Sequence, residues 1–262
     1  METLNVLTQF YSQYDEDGRL LSKHGRVEFL TTMRYIEKYL RPGMRVLEIG
    51  AGTGRYSHTL ARQGYPVDAV ELVQHNIDIF KKNTLPDENI TVRQGNAKDL
   101  AFLADDTYDV TLLLGPMYHL FTVPEQKQAL TESIRVTKPG GVVFVAYCNN
   151  DATMVQYCFG RGMIMEKRYR ELIDPVTFKA SSDPAELFQL YRKEDVDALM
   201  ADFRVQRLHY VGTDMATNFM RQTVDAMEDE LYELYLQYHF SICERPDMVG
   251  ATHHMLDVFR KL

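Results

Sequence analysis

Short apolar runs alternate with amphipathic stretches along roughly the first 150 residues of the chain. Apolar residues spaced three and four apart predict helices at about 25–39, 57–63, 74–83 and 124–136. Runs rich in Val, Leu and Ile predict strands at 45–49, 66–71, 90–94, 108–114 and 142–147. Strands that alternate with helices are joined by right-handed crossovers, which makes their sheet parallel. This part of the chain therefore predicts an α/β domain.

The pattern is less regular after the fifth strand. Residues 149–192 contain aromatic and methionine residues without a clear strand, which predicts a helical insertion over the carboxyl edge of the sheet. Further elements are predicted as a helix at 193–201, a strand at 205–211, a long amphipathic helix at 214–238 and an antiparallel last strand at 253–259. The expected organisation is a seven-stranded, mostly parallel sheet with helices on both faces in one domain at 25–262, with helical insertions at about 149–192 and 214–250 and an N-terminal lid segment at 1–24.

Charge and cysteine content narrow the functional classes. Asp and Glu number 37 against 29 Lys and Arg, so the net charge is -8 and the average surface repels a nucleic-acid backbone. Cys148, Cys158 and Cys243 lack the spacing of a zinc site or a disulfide framework. Residues 1–14 lack a signal-peptide pattern, and no apolar run reaches the roughly 18 residues of a membrane span. We therefore expect a cytoplasmic protein with a small-molecule substrate and no nucleic-acid, membrane or metal partner.

A glycine-rich loop follows the first predicted strand. Gly50, Gly52 and Gly54 lack a Cβ, which lets backbone N–H groups approach a ligand closely. Their GxGxG spacing departs by one residue from the GxGxxG pattern of dinucleotide-binding folds, which disfavours a nicotinamide cofactor. Glu48 lies inside the apolar strand, where a carboxylate needs a partner, and a salt bridge to Arg45 or Arg55 is one such partner.

The segment Val46–Gly54 resembles the first motif of class I S-adenosylmethionine-dependent methyltransferases. The resemblance continues in order through Glu71, Gln94–Leu100, Tyr108–Leu120 and Lys138–Gly141, and it covers about residues 40–147. It implies a Rossmann-like α/β fold with S-adenosylmethionine as cofactor and S-adenosylhomocysteine as product. It also implies methyl transfer to an O, N or S atom of a small molecule.

The resemblance further implies which residues hold the cofactor. Glu48 would anchor its amino group, Glu71 would accept hydrogen bonds from both ribose hydroxyls, and Asn96 would bind the adenine edge. Asn96 stands where the family more often has aspartate, and Asp99 is an alternative acceptor. The expected cofactor contacts are Glu48, Gly50, Ala51, Gly52, Gly54, Glu71, Leu72, Asn96, Ala97, Leu114 and Gly115.

The loop after the fourth strand is expected to face the reacting methyl group. His119 could act there as general base, because a neutral imidazole accepts a proton from a hydroxyl, thiol or ammonium group. It could equally cap the next helix or contact the cofactor. Gly115–Tyr118 stands where amide and nucleic-acid amino methyltransferases have Asx-Pro-Pro-Tyr, and glycine offers no side-chain oxygen. This difference argues against methylation of a nucleic-acid base or a glutamine.

Substrate contacts are expected from Tyr14, Tyr118 and Tyr147. The N-terminal segment, which also carries Tyr11 and Arg19, could fold over the site or be a solvated tail. Aromatic and methionine residues in the insertions suit an apolar pocket, but they equally suit helix packing. The helix predicted at 214–238 could also form a homodimer contact.

Two other functions stay open on the sequence. An NAD(P)-dependent oxidoreductase would share the glycine loop and the acid at the second strand. A noncatalytic module could keep the S-adenosylmethionine site as a sensor or scaffold. His253 and His254 adjoin on a predicted strand and point to opposite faces, so they are not expected to bind one metal ion.

Overall fold

The computed structural model describes residues 2–14, 18–186 and 188–262. The helices are α1 (Glu2–Tyr11), α2 (Lys23–Tyr39), α3 (Arg55–Arg62), α4 (Gln74–Asn83), α5 (Val123–Val136), α6 (Asn150–Thr153), α7 (Lys167–Glu171), α8 (Lys193–Met200), α9 (Arg221–Asp225) and α10 (Asp229–Ile242). The strands are β1 (Val46–Ile49), β2 (Val67–Glu71), β3 (Ile90–Gln94), β4 (Tyr108–Leu113), β5 (Thr137–Asn149), β6 (Leu190–Tyr191), β7 (Val205–Gly212) and β8 (His254–Lys261).

The strands form one sheet in the order β3-β2-β1-β4-β5-β8-β7, and the two-residue β6 pairs with the end of β5. Neighbouring strands are parallel except at β8, which is antiparallel to both β5 and β7. This arrangement confirms the predicted Rossmann-like sheet with an antiparallel last strand. The strand order reverses beside β1, and ligands bind at the carboxyl ends of the strands where such a reversal opens a crevice.

Two apolar layers cover the faces of the sheet. Successive side chains of a strand point to opposite faces, so Leu47 and Ile49 pack in one layer and Val46 in the other. The first layer also holds residues of α5 and α8, and the second holds residues of α2 and α3. With helices on both faces, the strands of the central sheet are buried almost throughout.

Local chemistry sets the limits of α2. The Ser22 side chain accepts a hydrogen bond from the Gly25 amide and caps the first turn. The helix ends at Tyr39, directly before Arg41-Pro42-Gly43, and Gly43 has a φ of +84° that suits glycine. The predicted helix and its stop signal are confirmed.

The helix predicted over 214–238 is wrong as a single element. Met215–Met220 is a 3₁₀ turn, α9 follows, and Ala226–Glu228 separates α9 from α10. At the start of the segment, the Asp214 carboxylate accepts hydrogen bonds from the backbone amides of His253 and His254. This contact ties the start of the segment to β8. Leu231, Leu234 and Tyr238 form an exposed apolar row on α10, and the homodimer contact stays a prediction.

The insertion at 149–192 contains α6, a π-helical turn at Met154–Phe159, α7 and β6. The segment is therefore only partly helical, with loops between the helical turns and a short strand that the sequence pattern did not indicate. Within the described part of the chain, the helices are all too short or too polar to span a membrane.

Candidate active site

A cavity of about 1150 Å³ opens at the carboxyl ends of β1, β2 and β4. Pockets for one small molecule commonly measure about 300–1,000 Å³, so this volume accommodates a nucleoside cofactor together with a second small molecule. The predicted residues that line it are Glu48, Gly50, Ala51, Gly52, Glu71, Leu72, Asn96, Ala97, Leu114, Gly115, Tyr14, Tyr118 and His119. Gly54 and Tyr147 do not line it.

The glycine loop packs tightly against the loop after β4. A Cβ added at Gly50, where φ is +76°, would lie 2.5 Å from the Cδ atom of Pro116. Gly52 also has a positive φ, and its amide donates to Oε2 of Glu71 at 2.9 Å. A side chain at Gly50 would push these two chain segments apart. The loop can form the floor of the cavity because Gly50 and Gly52 lack a Cβ.

Gly54 serves the packing behind the loop. Its φ is +92°, and an added Cβ would lie 2.5 Å from the Cδ2 atom of Phe80. It precedes α3 and lies outside the cavity lining. The structure therefore gives Gly54 a conformational role and shows no direct contact with the cavity.

Glu48 is buried within β1, with only 2% of its surface exposed. One carboxylate oxygen accepts hydrogen bonds from the Ser57 amide, at 2.9 Å, and from the Ser57 hydroxyl. Burial, together with the nearby charge of Glu71, raises the pKa of Glu48 to about 8. Arg45 pairs with Asp68 at 2.5 Å, so the predicted alternative of an Arg45–Glu48 salt bridge is wrong.

Glu71 is held in a fixed position at the end of β2. Oε1 accepts from the Val73 amide at 2.9 Å and from the Asn76 side chain at 3.3 Å, and Oε2 accepts from Gly52. Burial raises the pKa of Glu71. Asn76 was not predicted from the sequence, yet it lines the cavity, and its buried Oδ1 has no hydrogen-bond partner among the described residues.

Asn96 lines the cavity at the start of the turn after β3. Its Oδ1 accepts from the Lys98 amide at 3.0 Å, which closes an Asx turn and orients the side chain. Asp99 lies outside the cavity lining, where its Oδ1 accepts from the Ala101 amide. Between the two predicted acceptors, the geometry therefore favours Asn96.

His119 lies at the end of the 3₁₀ turn Pro116–His119 and meets two other parts of the chain. Its Nε2 atom is 2.8 Å from the hydroxyl of Tyr11 on α1. The Phe188 ring lies 5.5 Å from the imidazole, and Phe10 contacts Phe188 at 6.2 Å between centroids. Tyr14 stacks on Phe10 at 5.0 Å. The N-terminal helix therefore covers this end of the cavity.

Tyr147 is placed differently from the prediction. It is fully buried and packs edge-on against Tyr191 at 4.9 Å, in the layer that holds Val143 and Val145. Ala146 and Cys148, which alternate with Tyr147 along β5, instead pack against Tyr118 of the cavity wall. The period of two along a strand thus turns Tyr147 away from the cavity.

A charged cluster in the cavity wall was not predicted. Arg19 donates to Glu28 at 2.7 Å, and His254 Nδ1 lies 2.7 Å from Asp214 and 3.4 Å from Glu28. Burial alone would lower the pKa of His254, but the two carboxylates raise it well above its usual value. His253 is buried beside Phe219, and burial lowers its pKa to about 4. The neighbouring histidines therefore occupy opposite environments.

Glu28, Asp214 and His254 have ligand atoms within 4.8 Å of one another. This spacing could hold a cation, yet Arg19 already balances the charge of Glu28. Both oxygens of Asp214 accept hydrogen bonds from the protein. The arrangement is best described as a closed ion-pair network.

Comparison with known proteins shows which proteins share the fold and which share part of the sequence. Residues 46–141 match the family model described as a methyltransferase domain. The cypemycin N-terminal methyltransferase of a Streptomyces species is 34% identical over 158 residues, 56% of this chain and 61% of that protein. The demethylmenaquinone methyltransferase of Renibacterium salmoninarum is 42% identical over 106 residues, 40% of this chain and 41% of that protein.

The likeness to these two relatives spans three fifths and two fifths of their lengths. A solved S-adenosylmethionine-dependent methyltransferase from Methanosarcina mazei shares the fold, with a TM-score of 0.58 over 87% of this chain and 97% of that chain at 16% identity. The match of residues 46–141, which include the glycine loop, to a methyltransferase domain favours methyl transfer over the nicotinamide-dependent alternative. Over residues 46–141 the chain is similar to methyltransferase domains, and its Rossmann-like fold is shared with solved S-adenosylmethionine-dependent methyltransferases.

Proposed function

We propose that this protein transfers a methyl group from S-adenosylmethionine to an O, N or S atom of a small molecule. The observation that carries the proposal is one continuous cavity with two different walls. The glycine loop, Glu48 and Glu71 line one side, and Tyr118 and His119 line the other. A cofactor and an acceptor held in the same cavity can meet without a further domain movement.

The cofactor side fits a nucleoside with an amino-acid tail. Glu71 would accept from the ribose hydroxyls, and its existing hydrogen bonds to Val73 and Gly52 fix its position. Asn96 and Ala97 would border the adenine, and Glu48 would lie near the amino group. When bound, S-adenosylmethionine would supply a methyl group activated by its sulfonium, for transfer to the acceptor atom with S-adenosylhomocysteine as the leaving product.

We assign His119 the role of accepting the proton that the acceptor loses. Its imidazole lines the cavity beside Tyr118, and Tyr11 fixes its orientation through the 2.8 Å contact to Nε2. The hydroxyl of Tyr11 both donates and accepts, so it can hold either tautomer of His119. Tyr14 and Tyr118 would then contact the acceptor.

Residues 1–24 act as a lid in this proposal, within the limits of the described residues 2–14 and 18–24. Phe10 and Tyr11 of α1 enclose His119 together with Phe188 from the insertion. Exclusion of water by these aromatic rings would protect the reaction from side reactions and strengthen the electrostatic contacts in the cavity. The lid must open for acceptor entry.

The names of the relatives support a small-molecule or peptide acceptor without selecting one. One relative is named for the N-terminus of cypemycin, and others for demethylmenaquinone and ubiquinone biosynthesis. The shared segment contains the cofactor half of the cavity together with Tyr118 and His119, whereas the insertions form much of the rest of the acceptor half. The relatives' names therefore do not fix the acceptor of this chain.

Calorimetry tests the cofactor first. S-adenosylmethionine and S-adenosylhomocysteine are expected to bind, and NAD is not. The second stage measures formation of S-adenosylhomocysteine with phenol, amine, thiol and carboxylic acid acceptors. Binding of the cofactor without turnover of any acceptor class would favour the noncatalytic module, and no binding would refute the proposal.

A further inference from the structure

Two arginines face the acceptor half of the cavity from the insertions. Arg221, at the start of α9, donates from Nε to Oδ1 of Asn218 at 2.7 Å and from a terminal nitrogen to the Tyr157 hydroxyl at 3.3 Å. The guanidinium carbon of Arg161 lies 4.7 Å from the centroid of the Tyr157 ring. Arg161, Arg221 and Tyr157 all line the cavity. Two positive groups are therefore held around one tyrosine.

Two other cations along the cavity have carboxylate partners. Arg19 pairs with Glu28, and Lys98 pairs with Glu125 at 2.6 Å. By contrast, no carboxylate oxygen of the described residues lies within 4.0 Å of the Arg161 or Arg221 guanidinium. The charge in this part of the wall is therefore positive, although the protein as a whole carries a net charge of -8.

The guanidinium N–H donors that make no hydrogen bond within the protein are suited to binding an anion. A guanidinium has five N–H donors, and the contacts of Arg221 to Asn218 and Tyr157 use only part of them. Because the Tyr157 hydroxyl accepts from Arg221, its own hydrogen is available to a third group. Guanidinium groups bind carboxylate and phosphate through paired hydrogen bonds, and partial burial strengthens these bonds.

The arginine pair is connected to the reacting end of the cavity. Asn218, which holds Arg221, donates to Asp214, and Asp214 pairs with His254. The His254 ring in turn lies 5.9 Å from the ring of Tyr118. A continuous chain of contacts therefore runs from Tyr118 to Arg221 along the cavity wall.

We propose that the methyl acceptor carries a carboxylate or phosphate group that binds between Arg161 and Arg221. This inference rests on the proposed function, because it assigns that half of the cavity to the acceptor. The anion would fix the far end of the molecule, and its nucleophilic atom would then extend along the wall toward His119. The arginines are positioning residues for the acceptor and do not take part in the proton transfer.

Calorimetric titration with benzoate, phenyl phosphate and the neutral benzamide tests the anion site. Each probe is titrated into the full chain with and without saturating S-adenosylhomocysteine, so the result does not depend on cofactor binding. The two anions are expected to bind at least about tenfold more tightly than benzamide, which corresponds to about 1.4 kcal/mol. Equal binding of the three probes would overturn the inference.

Variants locate the site. R161Q and R221Q are each expected to weaken anion binding about tenfold, and R221K is expected to retain part of it, because lysine keeps the charge but loses the paired donors. R204Q, at an exposed arginine outside the cavity lining, is the matched control and is expected to bind as the wild type does. R161Q covers the case in which R221Q fails to fold, since Arg161 is exposed.

The cofactor serves as an independent readout. S-adenosylhomocysteine is expected to bind R161Q and R221Q within about twofold of the wild type. A selective loss of cofactor binding in these variants would assign the arginines to the cofactor and overturn the inference. If the wild type binds the anions at the arginines but does not bind S-adenosylhomocysteine, the proposed function fails while the anion site stands. If it binds S-adenosylhomocysteine but not the anions, only the anion site fails.

Discussion

Replacing Glu48 by Gln removes a titrating group from the floor of the cavity and keeps its shape. In the folded protein the pKa of Glu48 is raised from 4.5 to about 8 by burial. The folded protein therefore binds one more proton than the unfolded chain between these two pH values. Stability from this group is fully present below pH 4.5 and is lost as the pH rises through about 8.

The size of the effect follows from the shift. Each unit of difference between the folded and unfolded pKa is worth about 1.36 kcal/mol. Between pH 6 and pH 8, ionisation of Glu48 should lower the unfolding free energy of the wild type by about 2 kcal/mol. The Glu48→Gln variant lacks this loss, so the difference in stability between variant and wild type should shift by the same amount in favour of the variant.

Urea denaturation of wild type and variant at pH 6, 7 and 8 measures this difference, and subtraction cancels the titration of all other groups. Glu233→Gln is the control, because Glu233 is exposed on α10. Its difference from the wild type should not change with pH. The binding of S-adenosylhomocysteine to the wild type should also tighten from pH 6 to pH 8, since an ionised Glu48 attracts an ammonium group.

A flat difference between Glu48→Gln and the wild type over this range would refute the reasoning. It would mean that Glu48 is already ionised at pH 6 and that the Ser57 hydrogen bonds outweigh the cost of burial. A pH dependence shared by Glu233→Gln would instead point to a general effect of charge removal. Either result would concern only the protonation of Glu48, and its position in the cavity would stand.

Three further outcomes test other parts of the site. His119→Ala should lower the rate of S-adenosylhomocysteine formation about 100-fold or more without loss of cofactor binding, and an unchanged rate across pH would remove His119 from the proton transfer. Deletion of residues 1–14 leaves the Ser22 cap in place, so circular dichroism should show a folded protein with strongly reduced turnover, and wild-type kinetics would exclude the lid. Gly54→Ala should lower the unfolding free energy by about 1–3 kcal/mol because of its positive φ and the contact with Phe80, measured by thermal melting, and an unchanged melting temperature would contradict this role.

The hydrophobic periodicity predicted the helices and strands of the central sheet, because the apolar spacing that defines each element lies within its own sequence. The helix predicted at 74–83 coincides with α4, and the strand predicted at 90–94 coincides with β3. Sheet topology predicted the edge at which the cavity opens, because the carboxyl ends of parallel strands meet there. The family resemblance supplied the individual residues of the glycine-loop side, and Asn76, which carries no motif signal, was missed.

Contacts between residues far apart in the sequence determine the features that the local pattern did not predict. The start of the predicted helix at 214–238 is tied to β8, because the Asp214 carboxylate accepts hydrogen bonds from the backbone amides of His253 and His254, which lie far along the chain. Glu28 on α2 belongs to the same cluster through its contact with His254, and the sequence around Glu28 gives no sign of this contact. Tyr147 was assigned to the cavity from its place at a strand end, whereas the side of the sheet it faces depends on the pairing of β5 with its neighbours.

The position of β8 has a consequence for how this chain acquires its structure. Most strands pair with partners made before them or soon after, but β5 must wait for β8, which is made more than a hundred residues later and inserts between β5 and β7. Until then the apolar edge of β5 is open to pairing with other chains. Such distant pairing slows folding and exposes intermediates to aggregation. Loss of β8 should therefore reduce the yield of folded protein during synthesis, even though only His254 of this strand lines the cavity.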